Sequence, residues 1–118
     1  MKEGDVSLAV LPQSDRQTKS RPVIVLREMP QRDFLVCGVS TQLHHRIDSF
    51  DELISPGDPD FKSSGLLTRS LIRLGFLAVL PRNQIAGAIG TVSSERHGRL
   101  LRTLGEYLRA DARLDPKR

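Results

Sequence analysis

The chain has 118 residues, 38% hydrophobic and 27% charged, which is the size and balance of one soluble globular domain. No apolar run approaches membrane-spanning length, and MKEGDVSLAV at the N-terminus is too short and too acidic for a signal peptide, so a cytoplasmic location is expected. A net charge of +4, carried mostly by arginine, suits a polyanion partner, while the single Cys37 excludes an intramolecular disulfide.

Residues 4–11, GDVSLAVL, alternate as a strand does. Residues 12–20, PQSDRQTKS, are polar and turn-rich and read as a loop. Residues 22–27 and 34–40 are β-branched and apolar, two strands joined by the short connection EMPQRD. A polar loop with His44, His45 and Arg46 covers 43–50, and a short strand is expected near 50–54. Two prolines and two glycines make 55–65 a loop. Residues 66–80 hold two apolar runs, expected as strands flanking a bend at Gly75, and 84–92 read as a further strand. The one clear helix is 94–109, with Ser93 as N-cap. Leu100, Leu101, Leu104 and Leu108 form its apolar stripe, and Arg96, Arg99, Arg102 and Arg109 line the rest. The pattern predicts a mainly β protein, a small barrel closed by a C-terminal α-helix, within a single domain over 1–110. Residues 111–118 read as a flexible charged tail.

The stretch KSRPVIVL sets two cations against a run of aliphatic residues. A short connection makes strands 22–27 and 34–40 an antiparallel hairpin. With Arg27 opposite Phe34, Arg21 falls opposite Ser40. Lys19 and Arg21 then lie beside Ser40, Thr41 and Gln42, with His44 and His45 close behind. Rigid strand ends are good platforms for a site. By itself the arrangement reads rather as Arg21 capping a sheet edge and Ser40-Thr41 ending a strand.

The order Gly4-Asp5-Val6, Arg21-Pro22-Val23, Ser40-Thr41-Gln42, Ser70-Leu71-Ile72-Arg73-Leu74 and Arg82-Asn83-Gln84-Ile85 resembles the PemK/MazF family of toxin-antitoxin toxins, over roughly residues 3–109. The resemblance implies an SH3-like β-barrel that forms a homodimer. It implies an endoribonuclease that needs no metal or other cofactor, cuts single-stranded mRNA and leaves 2′,3′-cyclic phosphate and 5′-hydroxyl ends. The implied partner is a cognate antitoxin with an acidic, disordered segment. Arg21 matches the catalytic arginine of the family's R-P pair, Ser40 the catalytic Ser/Thr after the next strand, and Arg73 a second catalytic arginine. Lys19, Thr41, Gln42, His44 and His45 are then candidate substrate-binding residues.

Two departures stand out. Arg16, next to Asp15, replaces a glutamate common in the family, and Gly75-Phe76 replaces an acid-glutamine pair. A carboxylate general base is therefore missing at both places. His44 and His45 are candidates to carry the proton instead, with a solvated loop as the alternative. Their spacing is not that of a zinc site. His97, in the first turn of the helix, is expected at the surface, and Cys37 buried and inert. A catalytically inactive relative that binds RNA or an acidic antitoxin peptide is the second reading. A gyrase poison of the same fold fits less well, since that class uses a C-terminal tryptophan motif and this chain has no Trp. A generic SH3-like module fits poorly too, since 4% aromatic residues do not furnish a proline-binding groove.

Overall fold

Val23, Ile24, Val25 and Leu26 are all fully buried, because their strand is covered on both faces. A continuous apolar run, rather than an alternating one, is what such a strand requires. The computed structural model describes residues 1–11 and 19–111. It comprises β1 (Asp5–Ala9), β2 (Arg21–Glu28), β3 (Phe34–Ser40), β4 (Glu52–Ile54), α1 (Phe61–Ser64), β5 (Ser70–Leu80), β6 (Ile85–Thr91) and α2 (Ser94–Arg109), with 3-10 turns at Leu43–His45 and Arg82–Gln84. The six strands form one antiparallel sheet in the order β4-β5-β3-β2-β1-β6. The expected tail lies outside the described residues from 112 onward, as do Asp15 and Arg16 of the 12–20 loop.

Alternation along β2 splits the core in two. Ile24 and Leu26 join Val6, Cys37, Val39, Ile72 and Leu74 on the face covered by Leu100 and Leu104 of α2. Val23 and Val25 join Ala9, Leu11, Phe34, Val36, Leu80 and Ile85 on the other face, with Phe76 and Ala78 packed against them.

The hairpin of β2 and β3 forms as expected, but its register changes along its length. Glu28 pairs with Phe34 at the turn end, one residue from the expected alignment. An irregularity between Val25 and Arg27 absorbs the difference, and Val23 pairs with Gly38. The ladder of this hairpin begins at Val23, directly after Pro22, which has no N–H to offer β3.

The sheet is mainly β with a C-terminal helix, as expected, but it is not closed. Its terminal strands are β4 and β6, and α1 packs against β6 instead of a strand pairing there. Ser63 Oγ donates to Thr91 O at 3.0 Å. The approach is close enough that a Cβ on Gly90 would lie 2.3 Å from Ser63 O, so the position admits only glycine without backbone movement. This short helix falls within the stretch read as loop. The expected pair of strands in 66–80 is a single strand, β5, with a break in register: Cys37 pairs with Leu77 and Gly38 with Arg73. Leu74, Gly75 and Phe76 bulge between them, so Gly75 marks a bulge rather than a bend between two strands.

Helix α2 has the predicted bounds, and Ser93 Oγ accepts from the Arg96 N–H. Three expectations on it are corrected. Leu108 is 70% exposed. At about 100° per residue it lies about 80° around the helix from Leu100, off the buried face. Arg96 is 5% exposed, not on the solvent face. Its guanidinium is held by Asp60, Asp58, Glu52 and the Leu53 carbonyl at 2.8–3.1 Å. His97 is partly buried, and its Nε2 lies 2.8 Å from the Leu26 carbonyl, so that nitrogen carries the proton.

Candidate functional site

One end of the central strands gathers the singled-out residues. Arg73 lies opposite Gly38, and Val23 lies opposite Gly38 from the other side. Residues directly opposite share a face, and so do residues two apart on one strand. Arg73, Gly38, Ser40, Val23 and Arg21 therefore face the same way, the way of the second core cluster. Extending the Val23–Gly38 register by two residues aligns Arg21 with Ser40. The two arginine Cα atoms are then two strands and two residues apart, on the order of 12 Å at ordinary sheet spacings. Long guanidinium side chains can converge across that gap onto one phosphate.

Each member is positioned by its neighbours. Arg21 is exposed and opens β2, paired with Ala9 of β1. Ser40 is partly buried at the end of β3, and its Oγ accepts from the Gln42 N–H at 3.0 Å. One lone pair of that hydroxyl is thus occupied, and its proton remains to donate. Arg73 has its guanidinium carbon 5.6 Å from the centroid of the Phe76 ring. Phe76 in turn lies against Gly38, where an added Cβ would be 2.6 Å from its Cδ2. Gly38 is therefore small because the aromatic ring crosses it.

Lys19, Thr41 and Gln42 are exposed around this end of the sheet. The chain after Gln42 forms the Leu43–His45 turn, which exposes His44 and His45 with their ring centroids 4.2 Å apart, edge to face. The structure thus places Arg21, Ser40 and Arg73 on one face, and the histidines on the loop that follows Ser40. Among the described residues no three His, Cys, Asp or Glu side chains are grouped as a metal site requires.

Sequence reasoning missed two supporting residues. Phe76 sits in an apolar run with nothing to mark its contact with Arg73. Asp51 is buried, its Oδ1 accepting from Leu74 N and its Oδ2 from Ile47 N, both at 3.0 Å. One carboxylate thereby ties the loop carrying the histidines to the bulge beside Arg73. A hydrophilic residue next to Phe50 gives no sign of this in the sequence. Cys37 is buried as expected, and burial pushes its thiol up to about 12. It stays protonated and is a poor nucleophile.

The family model of PemK-like, MazF-like toxins of type II toxin-antitoxin systems matches residues 2–108. Several solved structures share the fold. The Mycobacterium tuberculosis toxin MazF-mt6 aligns with a TM-score of 0.64 at 20% identity, over 92% of this chain and 99% of that one. An endoribonuclease in complex with its cognate antitoxin, from a mycobacterial species, aligns with a TM-score of 0.63 at 16% identity, over 92% and 94% of the two chains. Another mycobacterial endoribonuclease aligns with a TM-score of 0.62 at 13% identity, over 95% and 94%. No curated protein matched in sequence.

Proposed function

The chain belongs to the PemK-like, MazF-like toxins of type II toxin-antitoxin systems, and from that premise we propose that it cuts single-stranded mRNA without a metal. The observation that carries this reading is the shared face of Arg21, Ser40 and Arg73 at one end of β2, β3 and β5. In such a cleavage the ribose 2′-oxygen attacks the adjacent phosphorus. The bond to the 5′-oxygen breaks, giving a 2′,3′-cyclic phosphate and a 5′-hydroxyl. Negative charge grows on the non-bridging oxygens, where preorganised cationic donors lower the barrier. Arg21 and Arg73 fill that role, and the Ser40 O–H donates to one of these oxygens. His44 or His45 takes the 2′-proton, in place of a carboxylate, and Arg21 donates a proton to the 5′-oxygen as it leaves.

Two partners accompany the reading. A cognate antitoxin with an acidic, disordered segment would bind across Arg21 and Arg73 and block RNA, as acidic segments fold onto basic grooves. A homodimer would cover the exposed Leu67, Leu77 and Val79, of which Leu67 is 97% exposed. Sedimentation as a monomer at micromolar concentration would remove the dimer. Acting on mRNA, the protein would work in the cytoplasm.

The test is incubation of the purified protein with a long single-stranded RNA in EDTA, followed by chemical mapping of the cut ends. Cyclic phosphate ends that vanish in Arg21→Ala support the reading. A second reading is favoured by one observation: Gly75 and Phe76 put an apolar ring beside Arg73 where an acid was expected. RNA that is bound yet uncut in EDTA and in magnesium alike would establish that second reading, a binding relative of the toxins.

A further inference from the structure

Charge pairing divides the arginines of the sheet and its loops. Arg27 pairs with Glu3, Arg32 and Arg82 with Glu28, Arg46 with Asp48, and Arg96 and Arg99 with Glu52. Arg69 has no carboxylate partner among the described residues. Its Nε donates to Ser55 Oγ at 3.0 Å, and its terminal nitrogens are left for solvent. Asp58 and Glu52, the acids nearest to Ser55 along the chain, are already committed, Asp58 to Arg96 and the Ser55 N–H and Glu52 to Arg96 and Arg99.

The register shows where this cation lies. Ile54 pairs with Ser70 and Leu53 with Leu71, so the contact of Ser55 with Arg69 continues the same ladder. Leu71 also lies opposite Ser40. Arg69, Leu71 and Arg73 are spaced two apart on β5 and its approach, and so share the face of the candidate site. Arg69 is about 13 Å from Arg73 at the rise of an extended strand.

We infer that Arg69, steadied by Ser55, binds a backbone phosphate of the RNA a nucleotide or more away from the scissile one, extending the basic track from Arg21 and Arg73 toward β4. This rests on the ribonuclease reading above and names a substrate contact that it lacks. An arginine held at Nε keeps its outer edge for a second anion, and a phosphate supplies one without any demand on base identity.

The test measures binding of a single-stranded RNA analogue with 2′-O-methyl riboses, which lacks the attacking hydroxyl, by fluorescence anisotropy over a salt series. Arg69→Ala is expected to weaken binding several-fold and to lower the slope of log affinity against log salt by about 0.7, the value for one phosphate contact on a single strand. Arg69→Lys should keep the slope. With cleavable RNA, Arg69→Ala should raise KM and leave kcat unchanged. An unchanged affinity and slope in Arg69→Ala, with wild-type binding intact, overturns the inference and leaves the ribonuclease reading standing. Loss of binding to poly-glutamate but not to the RNA analogue overturns it in favour of an acidic protein partner. A wild-type protein that neither binds nor cuts RNA overturns both.

Discussion

Two groups of arginines on this small sheet do opposite things. Arg96 lies at the foot of α2, almost fully buried, with three carboxylates around its guanidinium. Arg73 lies on the other face of the sheet, beside an aromatic ring and with no carboxylate partner among the described residues. The first arrangement spends its hydrogen bonds on joining α2, β4 and the 55–60 loop. The second leaves a cation facing solvent, where an incoming anion would meet it. The same residue type is structural where acids surround it and available where they do not. Burial alone would raise the Asp60 carboxyl. Hydrogen bonds from Arg96 and the Ser93 N–H, together with the Arg96 charge, outweigh that and hold it at about 2. Arg96 itself is raised: burial acts against its charge, but Asp60, Glu52 and Asp58 outweigh it.

The largest expected difference between the two groups is in folding. Arg96→Ala leaves the buried Asp60, and the partly exposed Glu52 and Asp58, without their cation, and should cost about 3–5 kcal/mol of stability in denaturant titration. Arg21→Ala should leave stability within about 0.5 kcal/mol, because it removes an exposed side chain at a strand end. The same change should cut RNA cleavage by on the order of a hundred- to a thousand-fold, about 3–4 kcal/mol in the barrier. A large loss of stability in Arg21→Ala, or a mild one in Arg96→Ala, would erase the distinction.

Acid sharpens the same contrast. The Asp60 carboxyl is depressed from 3.8 to about 2, so its contribution is present above pH 3.8 and lost as pH falls toward 2. The shift corresponds to about 2 kcal/mol. Wild-type stability should fall across that window, and Asp60→Asn, less stable at neutral pH, should lose less of its stability there.

A smaller effect probes the aromatic floor of the site. Gly38→Ala forces Phe76 to move, since the new Cβ would lie 2.6 Å from the ring. Overpacking of this kind costs about 1–3 kcal/mol and should displace Arg73 with the ring. Cleavage that falls while the NMR shifts of the Phe76 ring stay unchanged would break the proposed link. Smallest of all, Leu108→Ala should change stability by less than about 0.5 kcal/mol, against about 2–5 kcal/mol for Leu100→Ala in the core.

The sequence alone determined the elements that local chemistry dictates. The buried strands β2 and β3, the bounds of α2 and its Ser93 cap were legible because apolar runs, helical periodicity and capping are short-range signals. The placement of Arg21 and Ser40 on one face was legible too, since a short hairpin leaves few registers and the expected Val23–Gly38 alignment is the one observed. Only the tertiary structure decided the rest. Arg96 and Arg99 sit three apart on one helix and look alike in sequence. Yet the 55–60 loop folds its acids around Arg96 and leaves Arg99 partly exposed. The bulge that sets Arg73 opposite Gly38, the α1 contact that replaces a strand pairing with β6, and the Asp51 bridge to Leu74 all join residues far apart in the chain. Contacts of that kind depend on what the folded sheet brings within hydrogen-bond reach, and no local pattern encodes them.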